Sequence, residues 1–204
     1  CGDIGAIDKG QEIHVEIERQ GMLTKNEFIG RSLVDMYAKC GLVQNAQEVF
    51  DRLPIHNVVS WTALISGYIE HEHCMKALEA FELMQLEAIS PDAVTFVCAL
   101  KSCACTRAVQ KGQEIHAEVE RMGLLEDNLI LGNALIDMYG KCGLVDLAQE
   151  VFDGVLDRDV VTWNALITGY VEHGYEEEAI NRFDEMSYSH ISPNAATFIC
   201  TLKA

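Results

Sequence analysis

Apolar residues recur at helical spacing along the chain. The motif W-x-x-L-I-x-x-Y at residues 61–68 places its large side chains on one face of a helix, and A-L-x-x-F-x-x-M at 77–84 does the same. A polar stretch at 70–73 separates the two motifs. This pattern predicts two antiparallel helices joined by a turn, whereas the apolar pairs at 58–59 and 160–161 are too short to predict strands.

Helix-breaking residues fall where such helices should end. The prolines Pro54, Pro91 and Pro193 each follow a predicted second helix, where proline ends a helix without breaking it. Gly41 and Gly143 each follow a predicted first helix, as a C-terminal cap would. The boundaries of the predicted helices are therefore set by the sequence itself.

The whole pattern repeats with an offset of 102 residues. The motif G-Q-E-I-H at 10–14 recurs at 112–116, and Trp61 recurs as Trp163. One helix pair buries little apolar surface alone, so neighbouring pairs must stack into a solenoid. We therefore expect an all-α fold of antiparallel helix pairs, with first helices lining one face and second helices the other.

The pattern divides the chain into five complete helix pairs of 31, 35, 36, 31 and 35 residues, at 27–57, 58–92, 93–128, 129–159 and 160–194. Residues 1–26 are expected to hold the second helix of a preceding pair. Residues 195–204 are expected to hold the first helix of the next. Because the chain begins at Cys1 in mid-pattern and without Met, we expect it to be a fragment of a longer protein.

Residues 160–170 (V-V-T-W-N-A-L-I-T-G-Y), which lead to S-P-N at 192–194, resemble a pentatricopeptide repeat. The alternation of pair lengths is similar to the PLS subclass of plant organelle RNA-binding proteins. Tetratricopeptide repeats share some of the motifs but keep a steady period of about 34 residues, which this chain does not. The resemblance implies a right-handed superhelical solenoid. It makes 27–57 and 129–159 short-type repeats, 58–92 and 160–194 P-type repeats, and 93–128 a long-type repeat, with partial long-type repeats at 1–26 and 195–204.

The family resemblance implies sequence-specific binding of single-stranded RNA in a chloroplast or mitochondrion. The protein would be part of an RNA editing (C-to-U) or processing factor, with editing-complex proteins as further partners. No P-C-x-x-C follows an H-x-E in the chain, so the zinc deaminase signature is missing. We expect no enzyme activity, cofactor or metal here. A protein-binding helical scaffold is the alternative function, favoured by the acidity of the chain.

In the family, the fifth and last residues of each repeat select one base. A carboxylate only accepts hydrogen bonds and suits the imino N–H of guanine or uracil, whereas an amide can donate to adenine or cytosine. The implied pairs are Thr62 with Asp92 (guanine), Asn133 with Asp159 (uracil), Asn164 with Asn194 (a pyrimidine, cytosine preferred), and Arg31 with Asn57 (no base assigned). With the long repeat, Val97 and Asn128, as a spacer, the implied target is 5′-N-G-N-U-(C/U)-3′.

Several of these residues have a structural alternative. Asp92 and Asn194 follow a proline and are also suited to cap the next helix. Arg31 lies four residues before Asp35, so an exposed ion pair is an alternative to phosphate contact. The second residue of each repeat is apolar, and it would either clamp a base or pack at the helix start: Phe28, Val59, Val94, Ile130 and Val161. Trp61 and Trp163 are interpreted as core anchors rather than stacking platforms.

The net charge of −17 argues against a nucleic-acid binder with a basic surface. However, the predicted first helices contain five acidic and five basic residues, so the remaining segments carry the whole excess. Four lysines near first-helix ends are candidates for phosphate contact: Lys39, Lys101, Lys141 and Lys203. The first-helix face could therefore meet RNA despite the acidic total.

The remaining chemistry is interpreted as structural. The eight cysteines include no C-x-x-C pair, and Cys40 recurs as Cys142, which favours buried free thiols and a reducing compartment. The stretch H-E-H-C at 71–74 is predicted to be a helix-connecting turn. No apolar run of about 18 residues occurs, so no membrane span is expected. Apolar residues at the uncapped end predict end-to-end self-association of the fragment: Phe198, Ile199 and Leu202.

Overall fold

The computed structural model describes residues 4–23, 26–126 and 128–204, and twelve helices form within them. They are α1 (Ile4–Arg19), α2 (Glu27–Lys39), α3 (Val43–Asp51), α4 (Val58–Glu70), α5 (Cys74–Leu86), α6 (Ala93–Thr106), α7 (Val109–Arg121), α8 (Leu129–Lys141), α9 (Val145–Gly154), α10 (Val160–Glu172), α11 (Glu176–Tyr188) and α12 (Ala195–Thr201). The predicted all-α class is confirmed.

The turns between helices follow from the residues found there. Gly41 and Gly143, just beyond α2 and α8, have φ angles of +78° and +79°, which glycine adopts without strain. The prolines lie three to five residues beyond the ends of α3, α5 and α11. Residues 71–73 form the turn between α4 and α5, as predicted, and no group of three or more metal-ligand side chains occurs within the described ranges.

The chain divides into two compact units, Cys1–Cys98 and Ala99–Ala204. In the first unit, α2 packs against α3 and α4, and α4 packs against α5. The core of this unit contains fully buried aromatic side chains, including Phe50, Phe81 and Phe96. Tyr37 joins α2 to α1, because its hydroxyl lies 2.9 Å from Nδ1 of His14.

The second unit repeats this packing with α8, α9, α10 and α11, and α12 packs against α10. Leu131, Leu135 and Phe152 are buried in its core. The first helices α8 and α10 approach closely, since a Cβ built on Gly140 would lie 3.1 Å from Cα of Gly169. The two helices are therefore in direct contact near their C-terminal ends.

The two tryptophans are core residues, as predicted, because Trp61 and Trp163 are each only 3% exposed. The expectation for the cysteines is partly wrong. Cys40, Cys98, Cys103, Cys142 and Cys200 are free thiols, but Cys74 and Cys105 are disulfide-bonded. Sequence spacing does not reveal which thiols a fold brings within bonding distance. Among the described residues, no helix is long and apolar enough to cross a membrane.

Candidate nucleic-acid interface

The last residue of each predicted repeat is the N-cap of the next first helix. Oδ1 of Asn57 accepts hydrogen bonds from the amides of Val59 (3.1 Å) and Ser60 (3.0 Å) at the start of α4. Oδ1 of Asp159 accepts from Val161 and Thr162, both at 2.9 Å, at the start of α10. The first amides of a helix have no partner within it, and these side chains supply one.

Asp92 and Asn194 make the same contact. The structural alternative predicted for these two residues, capping of the next helix, is therefore present in the structure. Oδ1 of Asp92 accepts from the Thr95 amide at 2.8 Å, and Oδ1 of Asn194 accepts from the Thr197 amide at 3.0 Å. Each cap also fixes the orientation of its side chain, because the acceptor oxygen must point at the helix end. Capping therefore leaves one terminal atom of each side chain unused.

That unused atom differs between aspartate and asparagine. Within the described part of the chain, no hydrogen bond involves Oδ2 of Asp92 or Asp159, or Nδ2 of Asn57 or Asn194. An aspartate cap thus presents a second acceptor, and an asparagine cap presents a donor. This is the chemical difference needed to distinguish a base with an imino N–H from one with a bare ring nitrogen.

The fifth residue lies beside the last residue in three repeats. Nδ2 of Asn133 donates to Oδ1 of Asp159 at 3.4 Å, and Nδ2 of Asn164 donates to Oδ1 of Asn194 at 3.3 Å. Thr62 reaches Asp92 through Thr95, whose Oγ1 lies 2.7 Å from Oγ1 of Thr62 and donates to Oδ1 of Asp92 at 2.7 Å. The fold therefore brings two of the four predicted pairs into direct contact and a third together through Thr95, while no contact links Arg31 to Asn57 among the described residues.

Asn133 and Asn164 differ in how far their amides are satisfied. Oδ1 of Asn164 accepts a hydrogen bond from the Thr197 hydroxyl at 2.6 Å. Oδ1 of Asn133 is buried and has no hydrogen-bond partner among the residues that the structure describes. An unpaired buried acceptor costs about 1–3 kcal/mol, so Asn133 gains the most from a donor that enters the site.

The carboxyl group of Asp159 is held in its charged form. Partial burial raises its pKa, but hydrogen bonds from the backbone and hydroxyl of Thr162, from Asn133 and from the backbone of Val161 together lower the pKa below the usual value. At neutral pH this side chain is therefore a carboxylate, and its free oxygen is an acceptor.

Sequence analysis missed the hydroxyl residue three positions after each of these caps: Ser60, Thr95, Thr162 and Thr197. These side chains are at most 2% exposed. Their hydroxyls bond the cap residue, for example Thr95 to Oδ1 of Asp92 at 2.7 Å, or accept from the cap's backbone amide, as Ser60 does from Asn57 at 3.0 Å. The signal was present, because N/D-x-x-S/T is the signature of a capping box.

The second residues of the repeats are mostly exposed. Phe28 is 65% exposed, Val94 58%, Ile130 68% and Val161 53%, while Val59 is half-buried. Plain packing at the helix start is therefore wrong for four of the five. In each case an apolar side chain is exposed next to a capped helix start.

The basic candidates fall into two groups. Lys39 bonds Asp35 and Lys141 bonds Asp137, each at 2.8 Å, so these two lysines already have carboxylate partners. The proposed ion pair between Arg31 and Asp35 is wrong, because Lys39 takes that carboxylate. The other candidates are exposed and make no ion pair with the described residues: Arg31, Lys101 and Lys203.

Comparison with known proteins supports one family. A model described as the PPR repeat family matches residues 56–105 and 158–204, and a second, the PPR repeat, matches 31–58 and 133–160. The chloroplastic pentatricopeptide repeat-containing protein CRR2 of Arabidopsis thaliana is 42% identical over 203 residues, which cover 98% of this chain and 31% of that protein. A mitochondrial pentatricopeptide repeat-containing protein of the same plant is 38% identical, over 98% of this chain and 24% of its own length.

Solved structures share the fold. The crystal structure of the maize pentatricopeptide repeat protein PPR10 matches 98% of this chain and 29% of its own, with a TM-score of 0.74 and 20% identity. The structure of PPR10 in complex with an 18-nt psaJ RNA element matches 98% of this chain and 30% of its own, with a TM-score of 0.75 and 21% identity. Together with the repeat matches, these findings show that the chain belongs to the pentatricopeptide repeat family.

Proposed function

We propose that the chain binds single-stranded RNA and selects one base per repeat through the fifth and last residues. The observation that carries this proposal is the divided role of each capping side chain. One terminal atom, Oδ1, accepts hydrogen bonds from the first amides of the helix. The other terminal atom makes no hydrogen bond among the described residues and belongs to a side chain that contacts the fifth residue. RNA modules of this repeat type read one base with two or three side chains. A structural relative crystallised with an RNA element supports the same function.

The chemistry of the free atoms assigns the bases. Oδ2 of Asp159 accepts from the imino N–H of uracil, and Oδ2 of Asp92 accepts from that of guanine. Nδ2 of Asn194 donates to the ring nitrogen of cytosine. The smaller Thr62 leaves room for a purine, while Asn133 and Asn164 fit pyrimidines. The resulting target is 5′-N-G-N-U-(C/U)-3′, with Arg31 and Asn57 facing the first, unassigned base.

Affinity would come mainly from the exposed apolar residues at the second positions, which hold each base between successive repeats. Phosphate contact would come from the three exposed candidates that make no ion pair with the described residues: Arg31, Lys101 and Lys203. Three contacts give a shallow salt dependence, with a slope of about −2 in log affinity against log salt concentration.

We further propose that the protein acts in a chloroplast or mitochondrion, as an RNA editing or processing factor of the PLS subclass. Support comes from the alternating lengths of the repeats and from the chloroplastic and mitochondrial relatives. Editing-complex proteins would then be further partners. Binding to protein alone is the second candidate, favoured by the acidity of the second helices and connections.

The test is a fluorescence anisotropy titration with a labelled RNA that contains the target, at about 50 mM salt. Ile130→Ala and Val161→Ala together should weaken binding about tenfold, because both residues flank the proposed uracil. Ile180→Ala is the matched control, since Ile180 is 46% exposed but lies on the second helix α11. Absence of RNA binding, or an equal loss with Ile180→Ala, contradicts the proposal.

A further inference from the structure

A groove of about 860 Å³ lies in the second unit, lined by α7, α8, α9 and the segments that follow α7 and α9. Its apolar lining includes Leu129 and Val151. Its acidic lining consists of four side chains: Glu120, Glu126, Glu150 and Asp157. No lysine or arginine is among the described residues that line it, so the groove combines an apolar surface with uncompensated negative charge.

In the first copy of the 102-residue unit, the chain fills the corresponding place with its own side chains. Glu18 corresponds to Glu120, and the guanidinium of Arg52 donates a hydrogen bond to Glu18. The next residue, Leu53, packs directly on Gly30, since a Cβ built on Gly30 would overlap Cδ2 of that leucine. An arginine and a leucine, adjacent in sequence, thus occupy the acidic and the apolar part of this place.

The second copy lacks the arginine and shortens the leucine. Gly154 stands where the first copy has Arg52, and Val155 stands where it has Leu53. Val155 keeps the contact with the helix, since a Cβ built on Gly132 would lie 3.1 Å from its Cγ2, but its side chain is one carbon shorter than leucine. Leu156 beside it is 90% exposed. The part of this place that received an arginine in the first copy is therefore left open here, while its acidic partner is kept.

Glu120 has no permanent cation in place of the lost arginine. Its one ion-pair partner among the described residues is His116, with Nε2 at 3.5 Å from the carboxylate. Burial lowers the pKa of His116, against the opposing effect of Glu120. The imidazole is therefore largely neutral at pH 7, and the carboxylate stays uncompensated, whereas Glu18 is paired with a guanidinium.

We propose that this groove is a docking site for a basic segment of a partner protein, in which an arginine pairs with Glu120 and a neighbouring aliphatic side chain packs against Val151 and Val155. The occupant of the first copy defines this chemistry. An RNA strand is disfavoured because its phosphates would meet four carboxylates. A second copy of this chain is disfavoured because its own Arg52 is already bonded to Glu18. The proposal does not depend on RNA binding.

The groove can be closed by restoring the residues of the first copy. A Cβ built on Gly154 meets no atom within 4 Å, and its φ is not positive, so a side chain fits there. The double variant Gly154→Arg, Val155→Leu should therefore fold and fill the groove from within. A melting curve followed by circular dichroism checks that the variant remains folded.

The probe is a fluorescein-labelled peptide with the sequence of residues 50–55 (F-D-R-L-P-I), titrated with the whole chain by fluorescence anisotropy. We expect saturable binding that the double variant lowers at least about tenfold. Glu120→Gln should lower it about tenfold, since every tenfold corresponds to 1.4 kcal/mol. Glu172→Gln is the matched control, because that exposed glutamate lies at the end of α10 outside the groove lining, and it should change nothing.

Three results would overturn the proposal. The first is no saturable binding up to about millimolar peptide. The second is binding that is equal in the native chain and in the folded double variant. The third is self-association or RNA binding that the double variant abolishes and the other variants do not. A monomer–dimer equilibrium in sedimentation lost in this way would make a second copy of the chain the occupant. RNA binding lost in this way would make a nucleic acid the occupant.

Discussion

The two copies of the 102-residue unit share their internal contacts and differ at their surfaces. His14 bonds Tyr37 at 2.9 Å in the first copy, and His116 bonds Tyr139 at 2.8 Å in the second. The hydroxyl of Tyr170 donates to Oε1 of Gln149 in the second copy, as the corresponding tyrosine and glutamine do in the first. These contacts join a second helix to a first helix and preserve the spacing of the repeats.

One difference falls at a helix cap. Asn57 in the first copy corresponds to Asp159 in the second, and both cap a helix with Oδ1. The two residues therefore make the same capping contact while their second terminal atoms are a donor and an acceptor. A repeat can change the group that its cap presents without losing the contact that positions its helix.

The largest expected effect concerns the shared core. Trp61→Ala and Trp163→Ala should each lower the free energy of unfolding of their unit by about 3–5 kcal/mol, because each removes a buried aromatic side chain. Urea denaturation followed by circular dichroism measures this. Leu86→Ala, at a position that is 81% exposed, is the control and should cost less than about 0.5 kcal/mol. If only one of the two tryptophan variants loses stability, the two copies are not structurally equivalent in their cores.

The next effect separates capping from base selection. Asn57→Ala and Asp159→Ala should each destabilise their unit by about 1 kcal/mol, because the capping bonds are lost. The matched exchanges Asn57→Asp and Asp159→Asn keep an acceptor at Oδ1, so their stability should change by less than about 0.5 kcal/mol. If the exchanges lower the melting temperature as much as the alanine substitutions do, asparagine and aspartate are not equivalent caps at these positions.

A third prediction restores a bond that the second copy lacks. Nε1 of Trp61 donates to Glu87 at 3.2 Å, whereas Nε1 of Trp163 is buried and unpaired, and Ser189 stands where the first copy has the glutamate. Ser189→Glu should stabilise the second unit by about 1 kcal/mol relative to Ser187→Glu, which adds the same charge on the exposed end of α11. No difference between these two variants in urea denaturation would show that the tryptophan N–H gains nothing from an acceptor.

The smallest expected effect is a pH dependence of the stability contributed by the Asp159 cap. The corresponding cap in the first copy, Asn57, has no titratable group and should not show it. The pKa of Asp159 is lower in the folded chain than its ordinary value of 3.8, so the carboxylate stabilises the fold above that pH. This contribution is lost as the pH falls through the lowered folded-state pKa. The melting temperature of Asp159→Asn should therefore approach that of the native chain as the pH falls below about 4. A constant difference across the pH range would contradict the lowered pKa.

Helix positions could be predicted from the sequence because local signals agree with the packing. Apolar spacing around Trp61, the glycine at residue 41 and the proline at 91 each specify a helix face or a helix end. The pairing of fifth and last residues came from the family resemblance, and the structure places two such pairs in direct contact and a third together through Thr95. The motif D-x-x-T at residues 159–162 already indicates that Asp159 caps a helix. Which of its two carboxylate oxygens stays free depends on side-chain geometry, which the sequence does not give.

Other features depend on contacts between distant residues. The repeat alignment shows that Gly154 replaces Arg52, but not that this arginine bonds Glu18, which lies 34 residues earlier. The sequence also allows Asp35 to pair with either Arg31 or Lys39, since both basic residues lie four positions from the aspartate. In the structure it pairs with Lys39. In each case the sequence permits two partners, and the local geometry selects one.

The central claim is that the free atom of the capping residue selects the base. The direct test is the affinity ratio of two labelled RNAs that differ only in having uracil or cytosine at the fourth position of the target, measured for the native chain, Asp159→Asn and Asn194→Asp. We expect Asp159→Asn to turn a uracil preference into a cytosine preference, a change of about tenfold in the ratio. Asn194→Asp should leave this position unchanged and favour uracil at the fifth. An unchanged ratio at the fourth position in Asp159→Asn, with RNA binding intact, would contradict the account.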